Sequence, residues 1–367
     1  EELIPLCRMN WRGPHRELMD AAITVVDAIE DKEGNVKYPA LLGTGGNDGR
    51  LDFTNNFMQR LGDLFDLAHA DGIARTNSLR WLDAALWGAA VGKLRNGAAI
   101  GQYFPGNAGG ANSTTGPDGD SLLNPWEFVL MMEGAVLFTA HVSRRMTSGD
   151  VVQASAPFAV RSHAAGNASA SAVEESERGE QWMPLWDRFV SLGELRRLLS
   201  EGRAQIGTRS AQRPIELAKA VARLGVARGL TGFQRFGYLE RNGQSNLAVP
   251  LGRIEGRERP HARLSDDIEP WLNRLHREAR AKHAPARLVA VERRLADTVF
   301  AAITHDDEPA RWQAVLLAMA EVEAVQAAGT GFAAGPIPRL SPEWAFAAQD
   351  DTPEFRLALA LGGAYSK

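Results

Sequence analysis

The sequence predicts a mixed α+β protein that is predominantly α-helical, with a small β-hairpin region and long loops. One stretch, 233–251, places two apolar and aromatic runs on either side of a turn signal. Two segments rich in glycine, serine and asparagine, 106–120 and 162–176, have no apolar period and predict loops. Four other stretches repeat apolar residues at i, i+3 and i+4 opposite a charged face, which is typical of amphipathic helices. These stretches are 191–205, 214–224, 285–303 and 308–328.

A more apolar helix is predicted after Asn124. Asparagine is a favoured N-cap residue, and the proline that follows suits the first helical position. The apolar run that begins at Phe128 extends to Val142 and is followed by Arg144 and Arg145. Cations are favoured at the C-terminus of a helix. We therefore expect a buried helix that ends near these two arginines.

The stretch 233–251 predicts the β-hairpin. Asn242 and Gly243 form the dipeptide that favours a type I′ turn between two strands. Arg235, Arg241, Asn242 and Gln244 lie on this hairpin beside aromatic residues, a combination suited to base stacking and to hydrogen bonds with base edges. They are therefore candidate DNA-binding residues. The alternative is an ordinary half-buried hairpin with its aromatic side chains inside and its arginines outside.

Charge divides the 367 residues into three segments that we take as domains. Residues 1–185 carry 15 cations and 23 anions, residues 186–300 carry 22 and 13, and residues 301–367 carry 4 and 9. The segments are an acidic mixed domain, a basic helical region with the hairpin, and a C-terminal helical segment. The overall charge of −4 does not by itself favour a nucleic-acid binder, but the basic middle does. Its candidate phosphate contacts are Arg196, Arg197 and Arg203; the alternative is a solvated helix face.

A glycine-rich stretch precedes Asp52. Its glycines lie at positions 43, 45, 46 and 49, and such a loop lets backbone amides approach an anion. The spacing matches neither a Walker loop nor a Rossmann turn. A tight loop capped by Asp52 or Thr54 ahead of a helix is the structural alternative. The loop from residue 43 to residue 56 offers four further candidate DNA-binding residues, which are Asn47, Arg50, Asn55 and Asn56.

The sequence gives little support to catalysis, and we expect a protein that is not an enzyme and needs no cofactor. The eight histidines show no metal-ligand spacing, and no nucleophile elbow occurs. We interpret His305, Asp306 and Asp307 as a solvated loop. Cys7 is the single cysteine, which fits a reducing, cytoplasmic setting, and no apolar stretch is long enough to span a membrane.

Six motifs occur in an order that resembles the large subunit of type I-G (formerly I-U) CRISPR-Cascade effector complexes. The resemblance covers nearly the whole chain, but the family continues at both ends, so we expect a piece of a longer protein. The motifs begin at Leu42 (LGTGGNDGRLDF), Asn124 (NPWEF, with EG at 133–134), Gly179 (GEQWMPLW), Glu201 (EGRA), Phe233 (FQRFG, with RNG at 241–243) and Arg339 (RLSPEW, with EFRLA at 354–358).

The resemblance implies a non-catalytic subunit of a crRNA-guided surveillance complex. Such a subunit recognises the protospacer-adjacent motif (PAM) in target double-stranded DNA, helps to open the duplex and recruits the helicase-nuclease. Its protein partners are the backbone and handle-binding Cascade subunits. Two alternatives remain: a scaffold that bridges subunits with only nonspecific DNA contact, and a nucleotide-dependent enzyme that uses the loop from Gly43 to Gly49.

Overall fold

The structure is a computed structural model, and it describes most of the chain from residue 180 onward and shorter parts before it. Of the predicted loops, 162–176 and most of 106–120 lie outside the described residues. The described residues are 3–13, 15–16, 52–69, 71–98, 100–101, 103–107, 119–137, 141–143, 153–155, 158–160, 180–200, 205–206, 209–210, 213–224, 229–241, 244–329 and 334–364.

The described residues form a mixed α+β fold that is mostly helical, which confirms the predicted fold class. The α-helices are α1 (Leu3–Asn10), α2 (Asp52–Leu64), α3 (Ser78–Trp87), α4 (Pro125–Leu137), α5 (Leu192–Ser200), α6 (Pro214–Leu224), α7 (Ser265–Ala279), α8 (Ala286–Thr304), α9 (Pro309–Ala327), α10 (Glu343–Ala347) and α11 (Pro353–Ala364). The strands are β1 (Phe65–Asp66), β2 (Ile73–Ala74), β3 (Arg95–Asn96), β4 (Leu122–Leu123), β5 (His141–Ser143), β6 (Gln153–Ser155), β7 (Ala159–Val160), β8 (Glu180–Trp186), β9 (Gln205–Ile206), β10 (Arg209–Ser210), β11 (Leu230–Arg241) and β12 (Gln244–Glu255).

An antiparallel sheet in the order β12-β11-β8-β7 positions the rest of the fold. The predicted hairpin is confirmed, because β11 and β12 pair from Gly232 opposite Glu255 to Arg241 opposite Gln244. On its other edge β11 pairs with β8. Gly232 permits a close approach of the two hairpin strands, since a Cβ there would lie 2.3 Å from the carbonyl oxygen of Ile254.

The larger hydrophobic core lies between this sheet and helices α6 to α9. The ring of Trp182 on β8 contacts Phe233 on β11 and Phe300 on α8, with centroid distances of 5.9 and 6.3 Å. The same core extends from Val160 to Ala348. Its buried residues thus come from all three of the charge segments.

Four fully buried tryptophans anchor this core, and each satisfies its indole N–H. Trp182 donates to a carboxylate oxygen of Glu180, and Trp344 donates to Asp267 Oδ2. Trp271 and Trp312 donate to backbone carbonyl oxygens at 3.1 Å. A buried indole contributes a large apolar area, and pairing its N–H avoids the cost of an unsatisfied buried donor. Trp182 is thus a packing residue, whereas Trp186 at the end of β8 remains 37% exposed.

A smaller cluster packs α2, α3 and α4 around Leu64, Trp81 and Val129. The predicted N-cap of α4 is present, because Asn124 Oδ1 accepts the backbone N–H of Trp126 at 3.1 Å. The predicted C-terminus of this helix is wrong. The helix ends at Leu137, and residues 141–143 form strand β5, which pairs with β6.

The other helix predictions hold within one residue, except at the C-terminus of the first. α6, α8 and α9 match the predicted stretches 214–224, 285–303 and 308–328. Within the stretch 191–205, helix α5 covers Leu192–Ser200, and Gln205 belongs to strand β9 and not to a helix. No helix in the described part of the chain is long and apolar enough to cross a membrane.

Glu127 in the first turn of α4 makes stability depend on pH. Its Oε2 atom is buried without a hydrogen-bond partner among the described residues, and burial raises the pKa of its carboxyl group to about 7. In the unfolded chain this carboxyl group has its ordinary pKa of 4.5. Between about pH 4.5 and 7 the folded protein therefore binds a proton that the unfolded chain releases, and the free energy of unfolding falls as the pH rises through this range.

We therefore expect Glu127→Gln to stabilise the protein at pH 8 and to have little effect at pH 5. A gain of roughly 1 kcal/mol corresponds to an increase in Tm of about 2–4 °C. Thermal melts of both proteins at several pH values measure it. Glu133→Gln on the exposed side of the same helix is the control. An equal change in Tm at both pH values would contradict the assignment.

Candidate nucleic-acid interface

The β11–β12 hairpin extends beyond the strand that supports it. β8 pairs with β11 only as far as Gly237, opposite Glu180. Beyond that residue, β11 continues to Arg241 while paired with β12 alone, within the residues that the structure describes. Four strand residues span roughly 13 Å. The outer hairpin is therefore a two-stranded ribbon, an element that fits the major groove of duplex DNA.

The predicted DNA-binding residues of the hairpin fall at different distances from its tip. Arg241 and Gln244 are register partners at the last pair of the ladder. Asn242 and Gly243 lie between them in the sequence and outside the described residues, as does the predicted turn type. Arg235 lies six residues before Arg241, at the base of the hairpin.

Arg235 is engaged within the protein, contrary to our expectation of a DNA contact. Its guanidinium donates to both carboxylate oxygens of Glu180, with distances of 2.8 to 3.0 Å. It also lies 4.3 Å from the ring centroid of Phe300 and 5.5 Å from that of Trp182. The side chains of Arg235 and Glu180 are only 14% and 6% exposed. Arg235 therefore joins the sheet to α8 instead of presenting its charge to a ligand.

Helix α5 exposes two of the predicted phosphate contacts. Arg196 and Arg197 are exposed on this helix, and Arg203 lies outside the described residues. Ser191 and Glu194 form a capping box at the start of α5: the Glu194 N–H donates to Ser191 Oγ, and the Ser191 N–H donates to Glu194 Oε2. These hydrogen bonds lower the pKa of the Glu194 carboxyl group. The capping box explains how α5 begins, so its two arginines are presented from a defined helix.

The structure describes only two of the four candidate residues from the glycine-rich loop. Asn47 and Arg50 lie outside the described residues, together with the four glycines. Asn55 and Asn56 belong to the first two turns of α2 and not to a loop, which corrects our expectation. Asn55 is exposed and accepts a hydrogen bond from Gln59 Nε2 at 3.3 Å, one helical turn away. A helix does follow the glycine-rich stretch, as the structural alternative requires, whereas the loop itself lies outside the described residues.

A basic surface that sequence analysis did not single out lies where α7 meets α8. We call residues 274–287 the α7–α8 corner. It carries five exposed cations and one acid, Glu278. The sequence shows a dense run of cations here. Because the run spans the end of α7, a turn and the start of α8, it follows no single helical period that would have predicted a common surface. The five cations are Arg274, Arg277, Arg280, Lys282 and Arg287.

A cavity of about 290 Å³ separates the hairpin from helices α6, α7 and α8. It is lined by five carboxylates, three cations and one histidine, so the acids outnumber the cations. The ion pairs in its wall include Lys219 with Glu269, and His276 with Glu292 at 2.8 Å. This balance does not suit a phosphate group, and the cations that could bind DNA lie on the outer surface.

The turn 305–307 is exposed at His305 and Asp307, as we expected, but Asp306 between them is buried and structural. Asp306 is 5% exposed, and its carboxylate accepts the backbone N–H of His261 at 3.2 Å. Asp307 pairs with Arg257 at 3.1 Å, which lowers the pKa of its carboxyl group. Across the described stretches, no group of three or more histidine, cysteine, aspartate or glutamate side chains is arranged to hold a metal ion.

Comparison with known proteins identifies no family for this chain. No family model matches it, and no curated protein matches it. The geometry that bears on function is therefore that of the chain itself. It comprises a hairpin whose outer residues pair only with each other among the described strands, an exposed basic corner, and a cavity whose cations pair with carboxylates.

The buried pair of Arg235 and Glu180 predicts a large stability effect. We expect Arg235→Met to reduce the free energy of unfolding by about 3–5 kcal/mol, because it leaves the Glu180 carboxylate buried without its cation. Urea denaturation measures the change. Arg253→Met on neighbouring β12 is the matched control, since Arg253 is exposed and donates only to Gln234 among the described residues.

The double variant Glu180→Leu with Arg235→Met tests whether the pair is the cause. Replacing both charges by apolar groups removes the uncompensated carboxylate but also removes the acceptor of the Trp182 indole N–H, so part of the lost stability should return. A double variant as unstable as Arg235→Met alone would show that another contact of Arg235 dominates.

Proposed function

We propose that this chain is the non-catalytic large subunit of a type I-G CRISPR-Cascade surveillance complex. In this role it recognises the protospacer-adjacent motif, binds target double-stranded DNA and helps to open it, and recruits the helicase-nuclease. Its partners are the crRNA and the backbone and handle-binding subunits. The proposal rests on the ordered motifs in the sequence. The structural observation that carries it is the outer hairpin, where β11 and β12 pair only with each other among the described strands.

The hairpin supports motif recognition because of its shape and its composition. A two-stranded ribbon enters the major groove, and the polar side chains at its tip can then reach the base edges. Arg241 and Gln244 close the ladder, and Asn242 lies between them in the sequence. Arginine matches the acceptors of guanine, and asparagine and glutamine match the donor and acceptor of adenine.

The distribution of charge supports the division of labour in RNA-guided recognition. Base pairing with the crRNA specifies the long target sequence, whereas protein groups recognise a short duplex motif and hold the phosphate backbones. Such a subunit needs cations along the path of the DNA and does not need a strongly basic surface everywhere. The formal charge of −4 combined with a basic middle segment fits this requirement.

A scaffold that bridges subunits is the second candidate, and exposed apolar side chains favour it. On α3, Leu79, Leu86 and Trp87 are 68%, 51% and 81% exposed. On α11, Leu357 and Leu361 are 62% and 55% exposed. Large apolar side chains that remain exposed on neighbouring turns are typical of protein interfaces. The scaffold would bind DNA only through its charge, so its affinity would not depend on a motif.

We expect Asn242→Ala with Gln244→Ala to narrow the affinity gap between targets that carry the correct motif and targets with a scrambled one. Loss of base-edge hydrogen bonds should weaken binding to the correct motif by roughly 1–3 kcal/mol and leave the scrambled target nearly unchanged. The measurement is equilibrium binding of the crRNA-loaded complex to both duplexes.

The control double variant is Asn10→Ala with Gln349→Ala, two exposed amides outside the hairpin. Assembly on the crRNA is checked in the same samples, because the adjacent glycine gives this turn a conformational role as well. A hairpin variant that assembles normally and keeps the full gap would favour the scaffold over the motif reader.

A further inference from the structure

We propose that the α7–α8 corner binds the phosphate backbone of nucleic acid, as the sequence-independent partner of the hairpin. This inference rests on the proposed function and names the surface that holds the DNA. The ligand chemistry is a run of phosphodiester groups, on either a duplex or a single strand.

The corner concentrates cations without exposed acids of its own. Its one acid, Glu278, accepts a hydrogen bond within the protein, from the backbone N–H of Ala334 to its Oε2 atom at 2.9 Å. In the described parts of the chain, no carboxylate lies within ion-pair distance of Arg277, Lys282 or Arg287. The cations of the cavity, by contrast, each pair with a carboxylate. Among the described residues, the charges of Arg277, Lys282 and Arg287 are therefore not neutralised by an ion pair.

Helix stability does not explain the whole set of cations. Arg277 lies in the last turn of α7, where a cation is favoured by the helix dipole. Lys282 lies in the turn between the helices, beyond that benefit. Arg287 lies in the first turn of α8, where the dipole disfavours a cation, and this turn contains no acid. The last two charges thus gain nothing from the helices, and an external anion would give them a partner.

The corner is held on a rigid support. His276 on α7 contacts Glu292 on α8 at 2.8 Å, which joins the two helices just behind the turn. Leu275 and Leu288 are fully buried in the larger core. Arg274 donates to the carbonyl oxygen of Ala334, so it also ties the corner to the segment before α10. Phosphate groups would therefore meet cations on a prearranged backbone, which lowers the entropic cost of binding.

The composition of the corner suits phosphate contact and not base recognition. Residues 274–287 include no asparagine, glutamine or aromatic ring apart from two histidines. Lysine and arginine contacts with phosphates position a protein on DNA without reporting the sequence. The hairpin would supply specificity, and the corner would supply affinity that depends on salt.

The test neutralises four cations of the corner in the full chain: Arg277→Gln, Arg280→Gln, Lys282→Gln and Arg287→Gln. Arg274 is kept because of its structural hydrogen bond. Fluorescence anisotropy with a 30-base-pair duplex and with a 30-nucleotide single strand is recorded between about 50 and 200 mM salt, a range over which phosphate contacts weaken steeply. We expect an increase in Kd of about tenfold or more at 100 mM salt. The slope of log Kd against log salt should flatten by about 2–4 for the duplex, or by about 0.7 per contact for a single strand.

A control variant makes the same change of net charge elsewhere. It carries Arg80→Gln, Lys93→Gln, Arg339→Gln and Arg356→Gln, four exposed cations outside the corner. Because both variants lose four charges, a general field effect changes their affinities equally, whereas a local contact changes only the corner variant.

The outcomes separate this inference from the proposed function. The corner variant should weaken binding to correct-motif and scrambled targets alike, and so keep the gap between them. Equal effects in the two variants, an unchanged salt slope, or wild-type protein that binds neither probe would overturn the inference. Loss of subunit assembly with unchanged DNA binding would assign the corner to an acidic protein partner and also overturn it. If the wild-type protein shows no motif preference but the corner variant still binds DNA more weakly than the wild type, only the proposed function is overturned.

Discussion

The paired charges of Arg235 and Glu180 are the constraint on which the sheet, the helices and the hairpin jointly depend. Two opposite charges in a nearly dry site are tolerated only when each satisfies the other. This requirement fixes the register of β8 against β11, because a shift of one residue would place Arg235 on the opposite face of the sheet. The rings of Trp182 and Phe300 flank the guanidinium, so the same contact orients α8 against the sheet.

Local patterns in the sequence predicted local structure well. Apolar periodicity located α6, α8 and α9, and the Asn242-Gly243 dipeptide located the hairpin, because these signals act within a few residues. The partner of β11 could not be found this way. β8 contains Pro184 and lies about 50 residues earlier in the chain, and a strand with an internal proline carries a weak signal. Residues after Leu137 were misassigned because an apolar run suits a helix and a buried strand equally.

The candidate residues illustrate why a charge is harder to place than a helix. Arg235 between aromatic residues suits base stacking and an internal cation–π contact equally well, and the deciding partner, Glu180, is 55 residues away. The basic excess of 186–300 was evident as a total. Which cations are cancelled internally, as Lys219 is, and which remain outside, as Lys282 does, depends on tertiary packing that no local pattern encodes.

A β-bulge in the hairpin sets the direction of the outer ribbon. Arg235 pairs with Gly252 and Phe236 with Pro250, so Leu251 is an extra residue in β12. Gly252 has a φ of +127°, a conformation that glycine adopts readily. Bulges bend a strand and increase its local twist. This bend lies one residue beyond the buried ion pair. It therefore sets the direction in which the outer ribbon leaves the sheet, and the aim of the hairpin tip depends on a backbone irregularity that lies well away from the tip residues.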